Sequence, residues 1–220
     1  MERYIDLQEI TDGKTYGEND MVRVGCNGCK GCSACCEGMD DTIILDPLDV
    51  YRLAGRLACT FDEMIGRYVE LHMQGGLILP SLKMDGQTGK CTFLGGDGRC
   101  TVHPYRPGFC RIFPLGRYYE DGDYSYILQI YECPMPNKTK VKVKRWIDTP
   151  EPARNRAFIN TWHGLQKELQ GRIHTAGDDV TVRNLNLFFL RVFYRDSYGQ
   201  ERDFYDQFRE RMEEMERLLR

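Results

Sequence analysis

Residues 26–38 read CNGCKGCSACCEG, five cysteines in eleven positions with the last two adjacent. Thiols at that density suit metal ligation, disulfide bonding or thiol redox chemistry, and spacing discriminates among these. Cysteines three apart pair only within tight loops, and neighbours pair only with strain. The chain opens MERYIDLQEITDGKTYGEND, without the basic-then-apolar pattern of a secretory signal. A cytoplasmic location is therefore expected. Structural disulfides do not persist there, and clustered cysteines more often hold metal.

Two overlapping patterns can be read in the stretch. Cys26, Cys29, Cys32 and Cys36 give C-x2-C-x2-C-x3-C, the ferredoxin-type spacing for iron–sulfur ligation. Glu37 stands where the ferredoxin run has Pro, and no second run follows. Cys29, Cys32, Cys35 and Cys36 give C-x2-C-x2-C-C. Adjacent Cβ atoms point to opposite sides of a strand, or about 100° apart on a helix. Cys35 and Cys36 then serve two metals or two irons of one cluster, or one is a ligand and the other a packed thiol. This favours a polynuclear or two-centre site over a single zinc. Further on, GKCTFLGGDGRCTVHPYRPGFCRIFPLGR holds Cys91, Cys100 and Cys110, and ECPMP adds Cys133. With the C-x2-C-x2-C-C run these make eight thiols. Eight fits two four-thiolate centres, or one 4Fe–4S cluster with a zinc or a set of supporting thiols.

CKGCSACC, the following ILDPLDVYRLA, then CTFLGGDGRCTVHPYRPGFCRIFP and finally CPMPNKTKVKVKRWI resemble a known family. Over about residues 26–147 the chain is similar to the CxxCxxCC zinc- or iron-chelating domains, also called YkgJ-like cysteine cluster proteins. The resemblance implies that Cys29, Cys32, Cys35, Cys36, Cys91, Cys100, Cys110 and Cys133 form the metal-binding set. Cys26 lies outside the family's pattern. Flagellin lysine N-methylases carry a similar cysteine block in a longer chain, so metal-dependent methyl or group transfer is an implied alternative.

Arg106 and Arg111 flank Cys110 in YRPGFCR, with Arg117 nearby. Guanidinium groups there would offset the charge of a thiolate centre or hold a substrate carboxylate, which makes Arg106 and Arg111 the cofactor-binding candidates. Pro104, Pro107 and Pro114 are expected to fix the loop that aims Cys110. His103 lies three after Cys100 and reads as a hydrogen-bonding neighbour or a turn residue rather than a ligand. Cys59, alone in RLACTF, reads as a core thiol.

The elements that must position these residues follow from pattern. Residues 1–25 read as a polar N-terminal arm with one short strand. Residues 26–147 read as the cysteine-cluster metal-binding domain. Within it, Asp46-Pro47 opens a helix with Leu48, Tyr51, Leu57 and Ala58 on one face. Thr60 to Glu63 is a capping box for a second short helix with Met64, Ile65 and Tyr68 inward. Residues 77–131 are short, β-leaning runs between Gly-rich turns, expected to carry Cys91, Cys100 and Cys110 on strands or turns. KTKVKVKR reads as a solvated edge strand guarded by lysines. Residues 148–220 read as a helical C-terminal portion packed on that domain, with stripes through Phe158, Trp162 and Leu165 and through Phe204, Phe208, Met212, Met215 and Leu219. DVTVRNLNLFFLRVFY is apolar enough to be buried. The expected class is α+β: a small irregular metal-stapled domain with a helical hairpin and short antiparallel strands, plus the C-terminal helices.

The 220 residues are 41% hydrophobic, enough for a core. A net charge of −3 and pI near 5.9 argue against nucleic acid as a partner. No apolar run reaches membrane-spanning length. Radical S-adenosylmethionine, phosphate-loop, zinc-protease and nucleophile-elbow motifs are missing. The expectation is a cytoplasmic, cysteine-ligated metalloprotein holding an iron–sulfur cluster or zinc, with iron–sulfur ahead because the adjacent pair suits a polynuclear site. The alternatives are the group-transfer enzyme and a zinc-stapled interaction module whose helical tail meets a protein partner.

Overall fold

The computed structural model describes residues 7–26 and 32–220. Helix α1 (Leu7–Ile10) leads into strands β1 (Thr11–Tyr16) and β2 (Met21–Gly25). Helices α2 (Pro47–Leu57) and α3 (Phe61–Met64) precede the hairpin of β3 (Val69–Gln74) and β4 (Leu77–Leu82). Helix α4 (Gly108–Ile112) is followed by β5 (Leu115–Glu120), β6 (Asp123–Gln129), β7 (Thr139–Lys142) and α5 (Val143–Ile147). Helices α6 (Pro152–Thr175), α7 (Asp179–Leu190) and α8 (Phe204–Leu219) complete the chain. The strands form three small antiparallel sheets, β1-β6-β5, β2-β7 and β3-β4. The class is α+β, as the patterning implies.

Local signals explain most of these elements. Asp46 caps α2, Pro47 occupies its first turn, and Asp49 closes a reciprocal capping box. Thr60 and Glu63 do the same for α3. Two-residue turns with positive φ close both hairpins, Gly75-Gly76 in one and Asp121-Gly122 in the other.

Several stretches differ from the sequence expectation. The first 25 residues contribute two strands rather than one, because β1 and β2 find partners more than a hundred residues away in β6 and β7. The helix expected beyond Thr60 stops at Met64, and Ile65 is exposed. Gly66 at φ +78 breaks the helix, and the alternating VELHM continues as a strand. The basic run is strand only to Lys142. Val143 and Ile147 are four apart and both buried, so the chain turns helical there and shows Lys144 and Arg145 to solvent.

The C-terminal helices share one core with the cysteine-bearing part. Trp162 stacks on Phe189 and meets Phe193 edge-on, while Phe158 packs against Phe204 and Phe208. A π-helical turn at Arg191–Arg195 follows α7 and buries Val192, Phe193 and Tyr194 in succession. The Tyr194 hydroxyl donates to Leu45 O at 3.0 Å, just before α2. Asn186, 2% exposed, accepts from Ile78 N and donates to Gly76 O, fastening α7 to the β3–β4 hairpin. The apolar α7 segment is not wholly buried, since Val180 and Leu187 face solvent. Among the described residues no helix is long and apolar enough to cross a membrane.

Candidate metal centre

Cys35 and Cys36 end a single 3-10 turn, Ala34–Cys36, in which Cys36 N donates to Ser33 O at 2.7 Å. The turn is held against the downstream chain: Cys91 N donates to Cys36 O at 2.8 Å, and Glu37 pairs with Lys90 across an isolated bridge. Gly38 N continues the contact to Gly89 O. Cysteines some 55 positions apart are therefore brought together by backbone hydrogen bonds.

Cys91 and Cys100 sit in two copies of one local device. Each opens a turn closed from its own carbonyl, by Leu94 N at 2.9 Å and by His103 N at 3.2 Å. Each is followed by Thr and then by a buried apolar residue, Phe93 or Val102. The amide of that apolar residue donates back to the thiol, Phe93 to Cys91 and Val102 to Cys100. Leu94 bridges to Cys100, and Thr101 N donates to Phe93 O, so the two turns lie side by side. Amide-to-sulfur bonds of this kind favour the thiolate form a metal needs. The repeated CTF and CTV triplets were the sequence signal for this pairing.

Cys110 does not lie on a strand or turn of the sheet. It lies on α4, which begins after Pro107, and Arg111 N closes the first turn on Pro107 O at 2.9 Å. Arg111 is 6% exposed, and its guanidinium donates to the carbonyls of Pro104 and Asp148. Arg106 stays nearer the surface, with Nη1 against the His103 ring and carbonyl. His103 is exposed. Cys59 is half-buried against the core.

Burial and mutual charge tie these thiols into one electrostatic group. Cys36 donates its S–H to Cys35, which lowers Cys35 to about 7 and raises Cys36. Desolvation and then the neighbouring thiols raise Cys91, Cys100 and, most strongly, Cys110, which feels Cys91, Asp49, Cys35 and Cys100. The positive charge of Arg106 acts the other way on Cys35 and Cys100. Cys35, Cys36, Cys91, Cys100 and Cys110 are thus neighbours. Cys32 precedes the 3-10 turn and is half-buried. Cys133, also half-buried, lies between β6 and β7, where Lys138 Nζ donates to its carbonyl. Thr139, six residues on, pairs with Gly25 just before the cysteine run. Cys29 lies outside the described residues. Cys32, Cys35, Cys36, Cys59, Cys91, Cys100, Cys110 and Cys133 are free thiols. Among the described residues no three Cys, His, Asp or Glu side chains already enclose a point where an ion would sit.

This electrostatic arrangement has a pH consequence. A thiol raised above its ordinary value of 9.0, as Cys91 and Cys110 are, favours the fold fully below that value. That contribution is lost as pH climbs from 9.0 toward the folded value. Lowered Cys35 has the opposite sign: its contribution is full above 9.0 and is lost as pH falls from there to about 7. The reduced, metal-free protein should therefore lose stability above about pH 9, by at most about 1.4 kcal/mol per raised thiol for each pH unit. Urea midpoints measured in reductant and chelator check this, and a midpoint that rises with pH above 9 contradicts it.

Behind α4 lies a feature that pattern reading passed over. Asp46 and Asp49 serve as capping residues, but they also face Arg52, Arg111 and Arg117 across a small cavity. Desolvation raises both carboxyls. Asp49 Oδ1 accepts from Gly108 N at 2.8 Å, linking α2 directly to the helix of Cys110. Only the spacing of two Asp three apart with Arg three further on, in DPLDVYR, hinted at a second role.

Thiols from separate segments are gathered in an α+β frame, with the Phe93 and Val102 amides turned toward two of the sulfurs. Residues 28–135 match the model of the CxxCxxCC family, described as a putative zinc- or iron-chelating domain. No curated protein and no solved structure matches the chain significantly.

Proposed function

We propose that this chain is a cysteine-ligated metalloprotein in which Cys29, Cys32, Cys35, Cys36, Cys91, Cys100, Cys110 and Cys133 hold an iron–sulfur cluster of the 4Fe–4S type, with zinc as the competing occupant. The observation that carries the reading is the convergence of Cys35, Cys36, Cys91, Cys100 and Cys110, with the Phe93 and Val102 amides aimed at two of the sulfurs. The donor set fits: soft thiolates select iron–sulfur clusters and zinc. Adjacent Cys35 and Cys36 suit two iron atoms better than one tetrahedral ion. Such a centre supplies either electron transfer or a structural staple.

The chain's own residues prepare the site. The paired turns fix Cys91 and Cys100 before any ion arrives. The Cys36-to-Cys35 hydrogen bond leaves one thiolate ready near neutral pH. Arg106 offsets charge beside Cys35 and Cys100, and Arg111 anchors the loop of Cys110 through two carbonyls. Residues 26–147 form the metal-binding unit on this reading, with residues 148–220 bracing it, and a reducing cytoplasm keeps the thiols available. Anaerobic purification tests the proposal. Brown protein with a broad band near roughly 400 nm and matching iron and sulfide supports the cluster. Colourless protein with stoichiometric zinc replaces it with the zinc reading, and metal-free protein after reconstitution with either overturns both.

A further inference from the structure

Strands β2 and β7 form a two-stranded sheet whose outward face is basic. Arg23 lies directly opposite Lys140 and Met21 opposite Lys142, so these four side chains share one face. All four are exposed, while Val22 and Val24 are buried on the other side. Lys138 precedes β7, and Lys144 and Arg145 extend the charge along α5. None of these six cations belongs to an ion pair among the described residues. Residues 133–147 and strand β2 contain no Asp or Glu. Of the bordering carboxylates, Glu18 faces Arg156, Asp20 accepts from Gly17 N and Asp148 acts on Arg111, which leaves exposed Glu132. Six cations against these four acids leave a positive excess on a chain whose net charge is −3. Like charges directly opposite each other, as at Arg23 and Lys140, weaken the sheet that carries them. Edge lysines alone suffice to deter pairing between copies. Arg23 on the neighbouring strand, and Lys144 and Arg145 past the strand's end, exceed that need. The edge is open in its backbone as well. Among the described residues β7 pairs with β2 alone. Val143 N donates to Asp20 O and Val141 lies opposite Val22, so odd-numbered residues bond inward and the N–H and C=O groups of Lys140 and Lys142 point outward.

We propose that this face and edge dock an extended acidic segment of a partner protein, which adds to β7 as a third strand and sets alternate carboxylates against Lys140 and Lys142. The main chain of β7 supplies hydrogen bonds, the cations select for acid, and the same cations repel a second copy of β7. A long nucleic acid would meet the acidic remainder of the chain. One exposed methionine, Met21, is too little apolar surface to enter a lipid layer. Strand β2 ends at Gly25, just before the cysteine run, and Lys138 Nζ donates to Cys133 O, so a docked segment would lie beside the proposed metal centre. The docking itself stands on charge and backbone, independent of which metal the thiols hold.

The probe is a fluorescent peptide of about eight residues alternating Glu and Thr, an ordinary strand length, titrated by anisotropy into the full-length, metal-loaded protein. Saturable binding is expected that the matching Gln–Thr peptide lacks, and that weakens as salt rises because exposed charges are screened. Lys140→Glu combined with Lys142→Glu should weaken the acidic peptide roughly tenfold or more, with metal content and circular dichroism unchanged. Both side chains are exposed, and the first change gives Arg23 an opposite charge across the strand pair, so the fold is retained. Methylating every second amide of the peptide, on the side that meets β7, should abolish binding without altering its charge. Wild-type protein that shows no saturable binding of the Glu–Thr peptide overturns the proposal. Equal binding of the Gln–Thr peptide, or undiminished binding by the double variant or of the methylated peptide, does the same. Tighter binding to duplex DNA or to phosphatidylserine vesicles than to the acidic peptide also overturns it, and assigns the face to that partner instead.

Discussion

Replacing Cys36 and Cys91 together with Ser is expected to abolish stoichiometric metal and to cost stability comparable with that of a whole small domain, on the order of 5 kcal/mol or more. The two residues are joined through the Cys91 N to Cys36 O hydrogen bond, and their thiols feel each other's charge. Serine keeps the size but offers a poor ligand for a soft site. Without an ion, five crowded thiols have only protons to relieve their repulsion, which is why burial and mutual charge raise most of them. Metal binding thus becomes folding free energy, and a chelator should reproduce the effect of the double variant. Cys59→Ser supplies the contrast, since Cys59 lies apart from the group and should keep full metal content. Metal analysis and urea denaturation read both results. A Cys36/Cys91 double variant that retains wild-type metal would remove these residues from the centre.

Trp162→Ala should cost about 3–5 kcal/mol, as loss of a large core aromatic does, and lower Tm by roughly 6–20 °C. Trp162 is 5% exposed and touches Phe189, Phe193, Tyr194 and Phe208. The consequence should reach the cysteines. Tyr194 reports to Leu45 through its hydroxyl, and Tyr51 on α2 packs on Tyr198 and Phe204. Helix α2 in turn holds Gly108, two residues before Cys110, through Asp49. Loss of metal absorbance and loss of helix should therefore coincide in one transition shifted as a unit. Val180→Ala, at a side chain 66% exposed, should move stability by less than about 0.5 kcal/mol. Two separated transitions in Trp162→Ala would show that the helical part and the cysteine part unfold independently.

Local chemistry made much of this protein legible from its residues. The cap at Asp46, the capping box at Thr60 and the stripe through Phe158, Trp162 and Leu165 depend on near neighbours, so spacing alone determines them. The chemical identity of the site was equally plain, because so many thiols at such intervals serve few purposes. What spacing could not reach was anything that depends on distant partners. β1 and β2 look like a polar arm until β6 and β7 pair with them. Val143 ends a strand-like alternation as a helix because Trp146 and Ile147 have α4 and the core to pack on. Cys36 and Cys91 meet only through a backbone hydrogen bond across the chain. Asp49 and Arg117 face a common space only when α2, α4 and β5 come together. Residue type and interval decide which groups can act; long-range burial and hydrogen bonding decide which of them face one another.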